Sequence, residues 1–329
     1  MINSSDFIHL PYTPDLTEGG IAYALRSLIY SFDHNSAYDR LRRVVAEAAV
    51  ELAFRRYLSQ QDIPFEVMSA APFTDPHKFN VTLGGHRCDI KSFLISHRDQ
   101  IAEMRRDPNV VLNAPALVPS DHHVIDGYSD NDLYLFAFLS GLIAASQGDL
   151  KKAIETNQPT YLIHAMPENW RKPSKWNPLG ALVLKSESDE EMLVEVSGQD
   201  EARGFLTRLV NLPAKTRVTV EENFYSVTSV HVKNNPFGRL GIYCPAFKEA
   251  HIIPPLDWGN IWVYGVEIIL AGFISRGEFR QRARMIAPNS RVFQYDHTKT
   301  KNLAVLVSNL NPLPDLFARV REWEAGAHN

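Results

Sequence analysis

The feature that most constrains this chain is a pair of adjacent glycines, Gly84-Gly85, set between two β-favouring stretches. Phe79-Asn-Val-Thr-Leu83 precedes them and His86-Arg-Cys-Asp-Ile-Lys-Ser-Phe93 follows. Two residues that reach positive φ without steric cost, between two strand-like runs, predict a tight antiparallel hairpin. On its second arm Asp89 and Lys91 stand two residues apart, so both side chains leave the same face of the strand.

The neighbouring segments extend the pattern. Ser36 is placed to cap a long helix running to about Gln60, with Leu41, Val45, Ala48 and Leu52 at helical spacing. Pro64 ends that helix, and residues 65–68 read as a short strand. After the hairpin, residues 97–106 read as a helix and 108–131 as an irregular segment rich in Pro, Asp and His. Residues 132–139 are almost wholly apolar, the composition of a strand buried on both faces. A further short helix is expected over 148–156. The first 35 residues, with Pro11, Pro14, Gly19 and Gly20, read as an irregular arm followed by a short helix over 22–29.

Pro, Trp and Lys cluster across residues 158–178, which places a domain boundary near residue 157. The expected division is therefore 1–157 and 158–329, and 329 residues are comfortable for two domains. The second half alternates strand-like runs (179–185, 192–196, 217–220, 225–232, 261–273) with helical ones (200–211, 275–286). It reads as a mixed α/β domain.

Composition excludes little. Hydrophobic residues at 45% and charged residues at 22% argue against a disordered chain. No apolar run reaches the ~18 residues of a membrane helix. Met1 to Asp6 lacks the basic and apolar regions of a secretory signal. Cys88 and Cys244 are far apart and lack metal-ligand spacing, so free thiols in a cytoplasmic protein are expected. A net charge of −4 gives no support to indiscriminate nucleic-acid binding, yet only a cleft has to attract phosphates. His122-His123, beside Asp121 and Asp126, have no partner pair at metal-binding spacing. Neither a Gly-rich phosphate loop, a Gly-x-Ser-x-Gly elbow nor a dinucleotide fingerprint occurs, so no nucleotide cofactor is expected.

An acid-x-Lys triplet alone means little: 38 acidic residues produce one or two by chance, and Asp149-Leu150-Lys151 is a second. Asp89-Ile90-Lys91 is set apart by its surroundings. A helix containing Glu51, a short strand, a Gly-Gly hairpin, a helix and an apolar strand follow one another. That series resembles the core of the PD-(D/E)XK nuclease superfamily, which includes restriction endonucleases and archaeal Holliday junction resolvases. The resemblance covers roughly residues 36–156.

The resemblance implies an α/β fold with a restriction-endonuclease-like core, a mixed sheet flanked by helices, followed by the second mixed α/β domain. It implies Glu51 as the catalytic acid of the helix, Asp89 and Lys91 as the acid-x-Lys pair, and the Ile90 carbonyl as a backbone metal ligand. The second acid is open. Asp75, followed by Pro76, lies fourteen residues before Asp89. The position that usually carries Asp in the hairpin strand is held by Asn80. If Asn80 is the equivalent, a decayed, non-cleaving copy becomes an alternative.

Carboxylate oxygens suit Mg2+, for which Mn2+ can substitute. Asp75, Asp89 and Ile90 would hold the ion, Glu51 a metal-bound water or a second cation, and Lys91 would orient the attacking water. The substrate implied is DNA, in restriction or phage defence, with a homodimer or defence-system partner subunits and no membrane. Two alternatives stand beside this: a non-catalytic nucleic-acid-binding or assembly protein, and a structure-specific repair or recombination nuclease. Simpler readings exist for each residue. Glu47 and Glu51 each have an arginine at helical spacing, Arg43 and Arg55. Asp89 and Lys91 could form the polar side of a strand, and Asp75 could serve a turn.

Ser275-Arg-Gly-Glu278 has the pattern of a capping box opening a helix. Arg276, Arg280 and Arg284 follow at four-residue spacing, and Lys299 and Lys301 extend the basic character. These five could track a DNA backbone, or the stripe could be a solvated helix face. The aromatic block from Trp258 to Tyr264 could stack bases or form core.

Overall fold

The computed structural model describes residues 2–28, 37–67, 80–123, 128–143, 146–156, 160–232, 238–255, 257–260 and 264–327. Its first stretch runs through β1 (Ile8–Pro11), α1 (Pro14–Leu28), α2 (Ala37–Gln60), β2 (Val81–Leu83), β3 (His86–Ile95), α3 (Arg98–Arg106), β4 (Pro115–Pro119), α4 (Ser120–His123) and β5 (Leu133–Leu142). The middle adds α5 (Gln147–Glu155), β6 (Leu162–Ala165), α6 (Glu168–Arg171), β7 (Leu182–Ser186), β8 (Met192–Gln199), β9 (Phe205–Leu212), β10 (Arg217–Val220), β11 (Ser226–Val232), β12 (Leu240–Tyr243), β13 (His251–Ile253) and β14 (Gly259–Asn260). The last stretch holds β15 (Tyr264–Ser275), α7 (Arg276–Arg282), β16 (Arg284–Ile286), β17 (Asn302–Leu306) and α8 (Leu313–Ala327). Among the described residues no helix is long and apolar enough to cross a membrane.

These elements form two compact units that interleave along the chain. One comprises Met1–Gly20, Val45–Leu142 and Gly265–Asn329, the other Ile21–Val44 and Ile143–Tyr264. They are not the consecutive halves, 1–157 and 158–329, that the composition change at 158–178 suggested. The reason is β15, which lies between β1 and β5 and so returns the last stretch to the first unit's sheet.

That first unit is mixed α/β, with a sheet in the order β1-β15-β5-β3-β2 and flanking helices. β3 and β5 run parallel, while β2 pairs antiparallel with β3 and β1 with β15. Residues 133–141 are all buried, as expected of a strand covered on both faces. On one face Phe93, Ile95, Phe136 and Phe138 pack with Ile101 and Met104 of α3 and Phe279 of α7. Each such ring or aliphatic chain stabilises the fold by about 1.5–3 kcal/mol relative to exposure.

The glycines of the N-terminal stretch serve packing rather than irregularity. α1 begins at Pro14, whose fixed φ and missing N–H suit a first helical position. A Cβ at Gly20 would come 2.6 Å from the Val45 carbonyl oxygen, and one at Gly19 2.7 Å from Leu52. The two glycines thus let α1 lie tightly against α2. The stretch 108–131 is likewise more regular than its composition implied. β4 joins β17 and β16 in a three-stranded sheet, paired from Pro115↔Leu306 to Pro119↔Asn302. As an edge strand it tolerates prolines that donate no hydrogen bond.

The second unit is built on two antiparallel sheets, β10-β7-β12-β13 and β14-β6-β11-β8-β9. Leu182, Leu184 and Ile242 of the first join Val194, Val196 and Val230 of the second in one buried cluster with Trp170 and Trp258. The helices α5 and α6 also belong to this unit. The helix expected over 200–211 is instead a turn, with Arg203 at φ 63°, leading into β9. Val210 and Leu212 alternate into the core along β9, whose full length pairs with β8.

Candidate active site

Gly84 and Gly85 adopt φ of 53° and 78° and turn β2 into β3. The turn is also covered: a Cβ at Gly84 would fall 2.1 Å from a ring carbon of Trp323 on α8. The same indole meets His86 edge to face, with ring centroids 4.8 Å apart. The hairpin that carries the acid-x-Lys triplet is therefore held at its tip by the C-terminal helix.

Along β3, Cys88 and Ile90 are buried, while Asp89 and Lys91 alternate with them on the other face. In the parallel register Asp89 stands beside Tyr134 and Lys91 beside Phe136. Lys91 Nζ lies 2.7 Å from Asp89 Oδ2 and 5.9 Å from the centre of the Tyr134 ring. Both side chains are largely covered, at 15% and 19% exposure, so the pair is less screened than a surface ion pair.

Glu51 reaches the same strand from α2. Its carboxylate forms an ion pair with Arg55 one turn on and accepts a hydrogen bond from the Asn80 side-chain amide. The Asn80 Oδ1 accepts the Ile90 N–H at 2.7 Å. The Asn80 backbone is tied down too: its N–H donates to the Cys88 carbonyl at 3.1 Å, and its carbonyl accepts from Arg55 at 3.1 Å. Burial lifts the Glu51 carboxyl above its ordinary value, against the Arg55 charge and the Asn80 hydrogen bond, which lower it. Glu51, Asn80 and the acid-x-Lys backbone are thus one connected network. Asp75, the favoured second acid, lies outside the described residues.

The donor set matches a hard divalent cation in kind: the carboxylates of Glu51 and Asp89 and the carbonyl of Ile90 are all oxygens. Each carboxylate already faces a protein cation, Arg55 or Lys91. Among the described residues no three His, Cys, Asp or Glu side chains gather as a metal site.

Three residues around the pair were given no role beside it from the sequence alone. Tyr134 is fully buried, and its hydroxyl is 3.2 Å from His123 Nδ1. Asp132 is buried and accepts the backbone N–H groups of Arg87 (3.0 Å) and Ser129 (2.7 Å). His122, exposed on α4, feels the charges of Lys91 and Asp89, although burial is the larger cause of its lowered pKa. The available signal was a tyrosine and an aspartate within an otherwise apolar strand, since buried polar tips need partners.

The basic stripe is not a stripe. The Ser275 hydroxyl does cap α7, accepting the Glu278 N–H at 3.2 Å. Arg276, however, is 4% exposed, with its guanidinium 4.3 Å from the Tyr128 ring centre and 5.2 Å from that of Tyr134. Its Nη2 donates to the His123 carbonyl at 2.7 Å, so it braces the interior rather than facing a phosphate. Arg280 is exposed and ion-paired with Asp130. α7 ends at Arg282, so Arg284 sits exposed on β16 and not one turn further along a helix. Lys299 and Lys301 are exposed. Of the aromatic block, Trp258 is buried in the second unit's core, and residues 261–263 lie outside the described residues.

Comparison with known protein families, with curated proteins and with solved structures finds no match to this chain. What the site does has to be argued from its own chemistry.

Proposed function

We propose that the chain is a metal-dependent DNA endonuclease with a restriction-endonuclease-like core, acting in restriction or phage defence. The observation that carries this reading is the Glu51–Asn80–Ile90 connection. A helix acid and an acid-x-Lys strand, 38 residues apart in sequence from Glu51 to Asp89, are joined through one side chain. A chance triplet on a polar strand face has no reason to gather a half-buried carboxylate from a helix.

In this reading Asp89, the Ile90 carbonyl and Asp75 would hold Mg2+ or Mn2+, and Glu51 a metal-bound water or a second cation. Such a cation would lower the pKa of a water and offset charge on the phosphate. With a cation on Asp89, Lys91 would orient the attacking water and offset charge on the phosphate. Its ammonium is confined beside Tyr134, which limits the freedom it loses on engaging substrate. Arg280, Arg284, Lys299 and Lys301 are exposed and free to contact the DNA backbone with modest displacement. A homodimer or defence-system partner subunits would bring a second site to the opposite strand.

A second reading has its own observation. Asn80 stands where a ligand acid is usual, and this favours a nucleic-acid-binding protein on a decayed nuclease fold. Cleavage of unmodified, modified, branched and single-stranded DNA with Mg2+ or Mn2+ separates the readings. Asp89→Ala and Lys91→Ala are each expected to lower the rate by about 10²–10⁴-fold, the range for groups that position or transfer protons. Cutting that survives both substitutions would sink the assignment. DNA binding without cutting by the wild type would favour the decayed copy, and cutting confined to branched DNA a repair or recombination role.

A further inference from the structure

We infer that Asn80 is a positioning residue, whose side-chain amide fixes the Glu51 carboxylate to the backbone between Asp89 and Lys91. It serves there because it is an amide and not an acid. This rests on the nuclease reading for its catalytic meaning, but the pairing itself is testable without it.

The geometry leaves Asn80 one productive orientation. Oδ1 must face the Ile90 N–H, a donor, and Nδ2 must face the Glu51 carboxylate, an acceptor. Flipping the amide would set donor against donor and acceptor against acceptor, so the assignment follows from the network. The Asn80 backbone groups are held by Cys88 and Arg55, which leaves the side chain little freedom to turn elsewhere. The amide oxygen is therefore committed to Ile90, and Asn80 orients a ligand acid instead of acting as one.

An acid at this position would behave differently. Two carboxylates would meet where one amide now donates, and one of them would have to take up a proton. The charged groups at hand are Arg55 on α2, which pairs with Glu51, and Asp89 and Lys91 on β3, which flank Ile90 and pair with each other. Arg55 is already shared between Glu51 and the Asn80 carbonyl, so it cannot neutralise a second carboxylate fully. Asn80 keeps the Glu51 carboxylate aimed at the strand.

The test uses the full chain. Carboxyl carbon-13 NMR titration of Glu51 in N80D is expected to show its apparent pKa raised by about 1 unit or more over wild type, as for other carboxylate pairs. Thermal melts add a cycle: N80D melts below wild type, and E51Q in the N80D background raises the melting temperature, because an amide again faces a carboxylate. E51Q in the wild-type background gives no such rise. In cleavage assays the N80D profile moves to higher pH, which a merely structural role would not produce. An unshifted Glu51 titration together with additive melts would overturn the inference. A shifted titration in a protein that cleaves nothing would keep the pairing and reject the nuclease.

Discussion

Each unit holds partly covered titratable side chains, and the two sets are built on opposite principles. In the first unit the carboxylates of Glu51 and Asp89 form ion pairs with Arg55 and Lys91, at sites that retain some exposure. In the second unit His164 Nε2 lies 2.8 Å from His251 Nε2, with the rings of Trp170 and Trp258 around them. His164 Nδ1 donates to the Asp257 carbonyl at 3.1 Å, so its Nε2 accepts and His251 Nε2 donates. Burial lowers the pKa of both imidazoles, which favours their neutral forms. His164 sits on β6 and His251 on β13, which belong to the two different sheets of that unit, so their hydrogen bond ties the sheets. Carboxylates meet protein cations at the first site, whereas the second pair joins the two sheets of its unit.

Acid should break the comparison most sharply. Burial holds His164 and His251 below their ordinary 6.5. The unfolded chain therefore takes up protons that the folded pair refuses. The stability this pair contributes is full above pH 6.5 and is lost as pH falls through that value towards the depressed folded values. Glu51 has the other sign. Its carboxyl is held above 4.5, so its contribution is full below 4.5 and is lost as pH rises through the raised value. Tryptophan fluorescence of the second unit, followed with guanidinium at pH 8 and pH 5, is expected to show a lower midpoint in acid. H164L should lower stability at pH 8 and flatten the pH dependence. An H164L protein with an undiminished acid loss would show that other groups drive it.

How much of this was legible depends on the range of the interaction. The Gly84-Gly85 turn, the helix to Gln60 and the apolar strand at 133–142 are set by local chemistry, and they were readable. The β9 region was misread because Leu, Thr and Arg suit a helix as well as a strand, and its pairing with β8 decides the matter. β4 was missed because its partner β17 lies more than 180 residues downstream and prolines bracket it. Glu51, Asp89 and Lys91 could be picked out as a set, but the role of Asn80 depends on a helix and a strand meeting. The cap at Ser275 was a local signal. The burial of Arg276 depends on Tyr128 and Tyr134, which its own sequence neighbourhood does not contain.

The hairpin sharpens the comparison at an intermediate scale, since its two glycines share a conformation and differ in surroundings. An alanine at either position costs about 1 kcal/mol for positive φ. Only at Gly84 does the new methyl group also meet an indole ring, that of Trp323, whereas nothing lies within 4 Å of a Cβ at Gly85. Overpacking adds about 1–3 kcal/mol. Chemical denaturation is therefore expected to rank G84A well below G85A, and W323A should remove most of the difference. Equal losses in the two glycine variants would mean that α8 does not hold the hairpin tip.

A comparable difference in stability separates two arginines of one helix, with a smaller effect on DNA binding to tell them apart. Removing the Arg276 side chain leaves the part-buried His123 carbonyl without this donor and forfeits two cation–π contacts, at about 2–4 kcal/mol in total. Removing Arg280 breaks only an exposed ion pair with Asp130, worth about 0–1 kcal/mol. Stability alone would make Arg280 look idle, and DNA binding should reverse the ranking. If Arg280 contacts a phosphate, R280A lowers the salt dependence of log K by about 1, with its melting temperature nearly unchanged. A conservative change at Arg276 that keeps the fold should leave that slope as it is. A slope unchanged in R280A, R284A, K299A and K301A alike would move the DNA-binding surface away from the α7–β16 region and leave Lys91 as the site's own phosphate contact.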